Sequence, residues 1–360
     1  MSSKISFRQF LVVPLLLGLL GLATENTWGA SLRDEMIAKA KKEGSLLVAG
    51  SNADNFRDQL KGFRKRYPFI KLRAFTANTN DTLNRIFIEA RAGKLSFDIP
   101  AVSSDGEELL AKRNLLQKMD FPHLKDFTPG TQAKHGLYVQ AFLNPRVQGV
   151  YNTDLVSPNE VPKSWEEMTD PKWTGKTMIS RSAEDLPAQL AYLWGKGGKM
   201  DWERSFAFFT KLAKQNPMIG RGYRGGTNRV AAGEVAIFWL PAVGPAARLA
   251  AKGAPVALIA FPKFTGTFRS FGILKGAKHP ASAWLFIDYL TSPEGQFEYT
   301  EVISAKVNIN KKAKTGKLGM WLVGQNATVE NTVPLDAQLV FNEKVQKKSE
   351  TFFFKLLGIR

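Results

Sequence analysis

Two successive series of short apolar strands, each alternating with amphipathic helices, constrain this 360-residue chain more than any other feature of it. Leu46-Leu47-Val48-Ala49 is an unbroken apolar run that ends in the polar turn Gly50-Ser51-Asn52. A helical stretch follows from Asp54 to Arg66. Tyr67-Pro68 stops it, because a residue before proline is driven out of the helical region. Ile70, Leu72 and Ala74 then alternate as in a strand. Leu83, Ile86, Phe87 and Ala90 are spaced as one helix face, closed by Gly93. Phe97 to Val102 reads as the next strand and runs into Ser103-Ser104-Asp105. There Ser104 with Glu107, or Asp105 with Glu108, has the spacing of a capping box. Strands joined by helices imply a largely parallel sheet with helices on its faces.

The pattern restarts after about residue 140. Val147 to Tyr151 is a strand ending at Asn152-Thr153, and Thr177-Met178-Ile179 is one ending at Ser180-Arg181-Ser182. Ser164-Trp165-Glu166-Glu167 is a second capping-box signature. A helix from Asp201 carries Trp202, Phe206, Phe209 and Ala213 on one stripe. Thr227 to Ala232 reads as a short helix, and Val235–Trp239, Val256–Ala260 and Phe268–Leu274 as strands. Pro280 opens a further helix at its first position, where a missing N–H costs nothing. The expected fold is α/β with two lobes, each a mixed, mostly parallel sheet flanked by helices, and a cleft between them. Residues 31–140 plus 268–315 are assigned to lobe 1 and 141–267 to lobe 2. Residues 316–360 form a helical tail packing on the lobes.

The N-terminus reads as a secretory signal over residues 1–30, cleaved near Gly29 or Ala30. Lys4 and Arg8 precede an apolar run from Phe10 to Leu22, which is too short for a comfortable membrane span. The mature protein is therefore expected in the periplasm. Lys plus Arg number 50 and Asp plus Glu 32, a net charge of +18. The densest basic runs, Lys61–Arg66 and Lys311–Lys317, belong to no nucleic-acid module. The charge implies a general attraction for anions and no nucleic-acid partner. The chain has no cysteine, which excludes disulfides, thiolate metal sites and iron–sulfur clusters. His123, His135 and His279 lack metal-ligand spacing, so no resident metal and no cofactor is expected.

Ligands of open α/β sheets sit outside the carboxyl ends of the strands. The candidate ligand groups at those ends are Ser51, Asn52, Ser103, Ser104, Asn152, Ser180 and Arg181. Helix N-termini that follow them offer unpaired N–H groups to an anion. Capping is the alternative role for each residue taken singly. Their recurrence at several strand ends is what argues for a shared site.

Several segments resemble the type II periplasmic solute-binding proteins of ABC importers, extracellular solute-binding family 1, in the subgroup that includes ferric-iron binders. They are Gly149-Val150-Tyr151-Asn152-Thr153-Asp154-Leu155-Val156, the stretch Val161-Pro162-Lys163-Ser164-Trp165 through Asp170-Pro171-Lys172-Trp173-Thr174-Gly175-Lys176, and Ala277-Lys278-His279-Pro280 through Ser292-Pro293-Glu294-Gly295-Gln296. Phe63-Arg64-Lys65-Arg66-Tyr67-Pro68 and Glu89-Ala90-Arg91-Ala92-Gly93 resemble it too. In the second segment Glu167 and Met168 replace the group's usual Asp and Leu. The resemblance implies lobes joined by two crossing strands and closing by a hinge motion. It further implies a monomer that hands a small-molecule solute to an inner-membrane ABC permease.

These segments are mostly scaffold and do not name the solute. Ferric members of the group use adjacent tyrosines in the second lobe, and phenolates suit a hard cation. This chain has no Tyr-Tyr, and the corresponding strand end reads Phe238-Trp239-Leu240-Pro241-Ala242. The second lobe instead carries Arg221-Gly222-Tyr223-Arg224-Gly225-Gly226-Thr227-Asn228-Arg229. Arg224, with Arg181 and Arg269, can grip a carboxylate, phosphate or phosphonate by paired hydrogen bonds. Gly226 allows close backbone approach, and Thr227 can cap a helix. Tyr223 and Trp239 can stack on the solute, with core packing the equal alternative for Trp239. A solvated basic loop is the equal alternative for the arginines.

The chain therefore reads as an importer receptor for a small anionic organic, phosphate-like or phosphonate-like solute, with a ferric-binding protein of the same fold as the alternative. An enzyme is not expected, because no Gly-x-Ser-x-Gly elbow, phosphate loop or dinucleotide fingerprint stands out, and no catalytic residue is assigned. A secreted hydrolase or an interaction module remain as alternatives of other classes. The latter would use the apolar tail Phe352–Leu357, which otherwise docks on the lobes.

Overall fold

A computed structural model describes residues 31–77, 79–128, 136–304, 307–335, 337–340 and 342–358. The signal segment and His135 lie outside the described residues. Three strands, β1 (Ser45–Gly50), β2 (Lys71–Thr76) and β3 (Ile99–Ser103), pair in parallel, as their helical connections require. The chain then enters β4 (Tyr138–Arg146), which continues after a short bend into β5 (Gly149–Asn152). β6 (Thr177–Ser180), β7 (Met218–Gly220), β8 (Ile237–Trp239) and β9 (Val256–Ile259) follow, then β10 (Phe264–Gly272) and β11 (Thr332–Pro334). One sheet has the order β11-β10-β3-β1-β2 with β4 also on β10, and the other has the order β7-β6-β8-β5-β9.

The lobes are joined by β4 and β10. These strands lie antiparallel, with Tyr138 opposite Gly272 and Arg146 opposite Thr265. β4 leads from the first sheet into the second, and β10 leads back. Sequence periodicity missed β4, because its residues are buried on both faces and show no alternation. It also contains Pro145, which normally argues against a strand.

A cluster of rings holds the first lobe together. Phe56 meets Phe271 and Phe286 edge to face, each at 5.6 Å, and Tyr299 stacks on Phe142 at 3.6 Å. The helix Pro280–Thr291 is buried on every side after its first residue, and it carries one acid, Asp288. Arg33, on a helix over residues 31–43, clasps that carboxylate with Nε and Nη2 at 2.8 and 3.2 Å. His123 Nε2 lies 3.5 Å from both Arg33 Nη2 and Asp288. Asp98 is similarly enclosed. It accepts from Leu47 N, from His279 N, and pairs with His279 Nδ1 at 2.9 Å, which ties the start of the Pro280 helix to the sheet.

Burial pushes His123 below the usual histidine range, and Arg33 adds to this, although Asp288 pulls the other way. The unfolded chain therefore takes up a proton at this histidine that the native protein refuses. Stability from this group is full above the unfolded value of about 6.5 and is lost as pH falls from there through the lower native value. Denaturant midpoints measured from pH 7.5 to 5 should fall on the acid side, and the fall should be shallower in His123→Asn. Equal slopes in the two proteins would show that His123 is not the group.

Two local expectations need correction. The helix expected from Asp54 to Arg66 is two helices, Ala53–Gln59 and Lys61–Arg66, broken at Leu60. The break lets Gly62 N reach Glu298 Oε1 at 2.9 Å and brings Gly62 against the Tyr289 hydroxyl. Neither capping box at Ser104 or Asp105 forms. The helix starts at Ser104 itself, Glu107 turns inward to accept from Gly272 N, and Glu108 accepts from the Tyr138 hydroxyl. The Ser164 box does form in part, since Ser164 Oγ accepts from Glu167 N.

The segment expected as a helical tail is not all helix: β11 adds to β10 in the first sheet, Ala337–Val340 lies against both Ser104–Lys112 and Leu186–Trp194, and the last helix packs on the second lobe. Phe353 on the helix Glu343–Leu357 is fully buried against Phe209, and Phe352 stacks on Phe206 at 3.8 Å. Ser349 Oγ donates to Glu184 O and accepts from Ala188 N. Those ring contacts remove the reason to invoke a membrane for this segment.

Candidate functional site

The crossing ladder sets where the two sheets face each other. β10 runs from the second lobe into the first, and β3 lies antiparallel to it, so β3 points back toward the second lobe and ends at Ser103 opposite Arg269. β5 runs away from the crossing, and β8 is antiparallel to it, so β8 points back toward the first lobe and ends at Trp239 opposite Gly149. β6 and β7 run parallel with β8. The carboxyl ends of β1, β2 and β3 thus face those of β6, β7 and β8. The ladder from Arg269 to Thr265 spans the gap, a strand length of about 13 Å at roughly 3.3 Å per residue. That gap suits a small solute.

Helix N-termini open onto this gap, and most lack a side-chain cap. Asn52, Ser103, Gly222 and Ala242 precede helices starting at Ala53, Ser104, Tyr223 and Val243, and none accepts a bond from its helix through its side chain. Asp201, Ser292 and Asn342 do cap the helices they precede, whereas Leu60, His279 and Gly316 do not. Capping is therefore not what Asn52 and Ser103 do, whereas Ser180 Oγ does accept from Ser182 N. Orphan N–H groups at these starts favour negative charge. Ser51 is half-buried and Asn52 exposed in the turn after β1, with Asn52 in the left-handed region at φ 54°. Ser104 Oγ lies 2.8 Å from Ser270 Oγ on β10 and accepts from Gln140 on β4, and Thr79 Oγ1 lies 3.5 Å from Ser103 Oγ. These hydroxyls make a polar floor on the first lobe.

Several expected site residues are placed elsewhere. Asn152 lies at the far end of the second lobe, because β5 runs against its neighbours and its carboxyl end points away from the gap. Its side chain donates to Val230 O and accepts from Asp154 N and Leu155 N. Trp239 is fully buried, edge to face with Trp173, and its Nε1 donates to Gln215 Oε1. It is core and has no face for a solute. The expected helix from Thr227 begins earlier, at Tyr223. Thr227 therefore sits inside it, buried, with Oγ1 bonded back to Tyr223 O. Gly226 faces Phe238, where any Cβ would strike the ring, so its small size serves helix-to-sheet packing. Arg269 turns its Nη1 to Ala101 O. Arg181 and Arg224 are exposed at the lip of the second lobe.

The structure brings Tyr223 together with a residue that sequence reasoning overlooked, Arg146. The Tyr223 hydroxyl donates to Ser182 O at 2.7 Å, and burial pushes its pKa up to about 12. Its ring lies under the Arg146 guanidinium, with Cζ 4.4 Å from the ring centre. Arg146 is the last residue of β4 and forms a backbone bridge to Ala242, at the start of the uncapped helix Val243–Ala250. Its Nε and Nη1 are enclosed and have no hydrogen-bond partner among the described residues. The available signal was a lone charge shortly after the apolar run Ala141-Phe142-Leu143 and just before the next strand. Such a charge has to find a buried partner or serve a ligand.

Acids gather beside it. Against the lowering effect of burial, Tyr223 first and then Asp185 and Glu184, in the turn before the helix Leu186–Trp194, hold the Arg146 pKa above the usual arginine value. Asp105, on the first lobe, is pushed above the usual carboxylate range by burial and, further, by Asp185 across the gap. Burial likewise raises Glu184. Asp185 Oδ2 accepts from Gln189 at 2.6 Å, but Asp185 Oδ1 and Glu184 Oε2 are enclosed without partners. Among the described residues, no group of three or more His, Cys, Asp or Glu side chains is arranged to hold a metal ion.

The comparisons with known proteins agree with this architecture. A family model described as bacterial extracellular solute-binding protein matches residues 58–321. The chain is 26% identical over 286 residues to an Fe(3+)-binding periplasmic protein of Serratia marcescens, covering 75% of this chain and 82% of that one. Iron-bound HitA from Pseudomonas aeruginosa superposes with a TM-score of 0.70 at 19% identity, over 87% of this chain and 99% of that one. The periplasmic binding protein AfuA from Actinobacillus pleuropneumoniae, with fructose-6-phosphate bound, superposes with a TM-score of 0.68 at 19% identity, over 88% and 99%. Two of these are named as periplasmic binding proteins.

Proposed function

Because this chain belongs to the bacterial extracellular solute-binding protein family, we propose that it is the periplasmic receptor of an ABC importer, capturing a small organic anion between its lobes for an inner-membrane permease. The observation that carries this reading is the Arg146 guanidinium, enclosed at the back of the gap with Nε and Nη1 unpaired. Leaving such donors unpaired costs about 1–3 kcal/mol each, and more for a charged group. A carboxylate, phosphate or phosphonate can take both from one side, in the fork geometry that guanidinium favours. The N-terminus of the helix Val243–Ala250 adds partial positive charge beside it. No described helix is long and apolar enough to cross a membrane. The exported form therefore rests on the segment 1–30 being a cleaved signal.

The relatives named for iron leave a ferric reading to be tested against this one. The second-lobe strand that would have to present phenolates ends in Phe238-Trp239, both fully buried. A thermal-shift screen of the mature protein separates the two, using carboxylates, phosphate esters, phosphonates and ferric salts as probes. A solute present at a hundred times its Kd should stabilise the native state by about 2.7 kcal/mol, which is readily seen. Organic anions are expected to raise the melting temperature and to be recovered chemically unchanged. Stabilisation by ferric salt alone would overturn the reading.

A further inference from the structure

We propose that Glu301 is a latch between the lobes, a positioning residue that holds the facing strand ends a solute's width apart and so sets solute affinity without touching the solute. This inference rests on the receptor reading above and adds how its lobes are held.

Glu301 belongs to the first lobe. It lies in a single π turn, Tyr299–Ser304, that continues the helix Pro293–Glu298. Such turns are rare and often found at functional sites. Tyr299 is buried there, stacked on Phe142 of β4 and, at 5.3 Å, on Phe56. Just before it, Gln296 donates to Ala141 O and Leu290 O, and Glu298 accepts from Gly62 N and from the Tyr289 hydroxyl. Those bonds fix the turn to the core of the first lobe.

The helix Lys317–Gly324 belongs to the second lobe. Leu322 and, just past the helix, Ala327 are buried with Val243, Val256 and Leu258. Gln325 Oε1 accepts from Leu258 N at 2.9 Å on the outer edge of β9, and Lys317 Nζ donates to Ala251 O. The residue before this helix, Gly316, has no side chain with which to cap it. Glu301 supplies the cap from the other lobe: Oε2 accepts from Leu318 N at 2.7 Å and Oε1 from Gly319 N at 2.8 Å. A carboxylate taking two N–H groups at the positive end of a helix makes a charge-assisted clasp. Gly316 leaves room for it, because a Cβ there would strike the Glu301 carboxylate carbon.

Two crossing strands alone leave lobes free to swing about a hinge. A swing of the second lobe carries the Lys317–Gly324 helix away from the Tyr299 turn and breaks both bonds of the clasp. The latched arrangement is the one in which the strand ends face each other across about 13 Å. Without the latch, wider arrangements join the ensemble, and the fraction of molecules ready to close on a solute falls.

The chain has no cysteine, so a pair of introduced cysteines can carry spin labels. Ala92→Cys on the first lobe and Lys211→Cys on the second replace exposed residues outside the clasp. Distances between the labels, measured on the mature protein without solute, should be narrowly distributed in the parent and longer and broader in Glu301→Ala. Gly316→Ala keeps the carboxylate but displaces it, so it should give the same broadening, and the two substitutions together should add nothing further. Glu301→Gln keeps an acceptor and should lie between. Kd for whichever carboxylate, phosphate ester, phosphonate or ferric salt the thermal screen selects should weaken by about threefold to tenfold in Glu301→Ala. Melting temperatures check that each variant is folded. Distances unchanged in both Glu301→Ala and Gly316→Ala would overturn the latch; with a lowered melting temperature, they would leave Glu301 a helix cap and nothing more. Broadened distances with an unchanged Kd would overturn it as well. The distances need no solute, so the latch can fail while the receptor reading stands, and it can hold if ferric salt is the ligand.

Discussion

Arg146→Met should weaken binding of the captured anion by about a hundredfold, and Arg146→Lys by about tenfold. A hydrogen bond to a charged group contributes roughly 1.5–3 kcal/mol, and the fork supplies two such bonds from an enclosed site. Methionine keeps most of the volume and removes both donors. Lysine keeps the charge but replaces a planar fork by a point charge, so it separates geometry from electrostatics. The measurement is calorimetric Kd against the best solute from the thermal screen, with circular dichroism to confirm folding. Equal affinity in wild type and Arg146→Met would remove the guanidinium from the site. Affinity retained in Lys but lost in Met would mean that charge matters and the fork does not.

Gly50→Ala is expected to destabilise the protein by about 3 kcal/mol or more, the largest stability effect of any single methyl group near the site. Gly50 ends β1 at φ +148°, a conformation that L side chains rarely adopt. A Cβ there would drive into the carbonyl oxygen of Ala101 on β3, the oxygen that also receives Arg269. Backbone is on the receiving end, so no side chain can swing away to make room. β1 and β3 would have to separate at the edge of the gap, displacing the Ser51–Asn52 turn. The denaturant midpoint should therefore fall with little change in its slope, and solute affinity should fall with it. A loss below about 1 kcal/mol would show that the two strand ends can part freely.

Much of the scaffold was legible from pattern alone, and particular residues show why the site was not. The alternation of Ile70, Leu72 and Ala74 and the helical spacing of Leu83, Ile86 and Phe87 are local signals, and the strand β2 and the helix Thr79–Arg91 form where they stand. Tyr223 was singled out because an aromatic among arginines is visible in one dimension. Trp239 was misplaced because an aromatic at a strand end reads the same whether it points to the core or to the gap. Gly226 and Thr227 were misplaced because the helix began earlier, at Tyr223. Arg146, Glu184 and Asp185 went unnoticed because nothing adjacent in sequence gives them meaning.

The sequence by itself determined most of the strands and helices, with β4, β7 and β11 excepted, and its N-terminal run argued for export. Backbone sterics and side-chain periodicity act within a few residues, so they can be read in order along the chain. Only the tertiary structure decided which strand ends face each other. The direction of β5 sends Asn152 away from the gap, and the pairing of β4 with β10 brings Arg146 to its back wall. Arg146 and Tyr223 are 77 positions apart in sequence and meet only because β4 carries the chain across to the second lobe. Charges interact through space, and the spacing that matters here is fixed by contacts that no local pattern records.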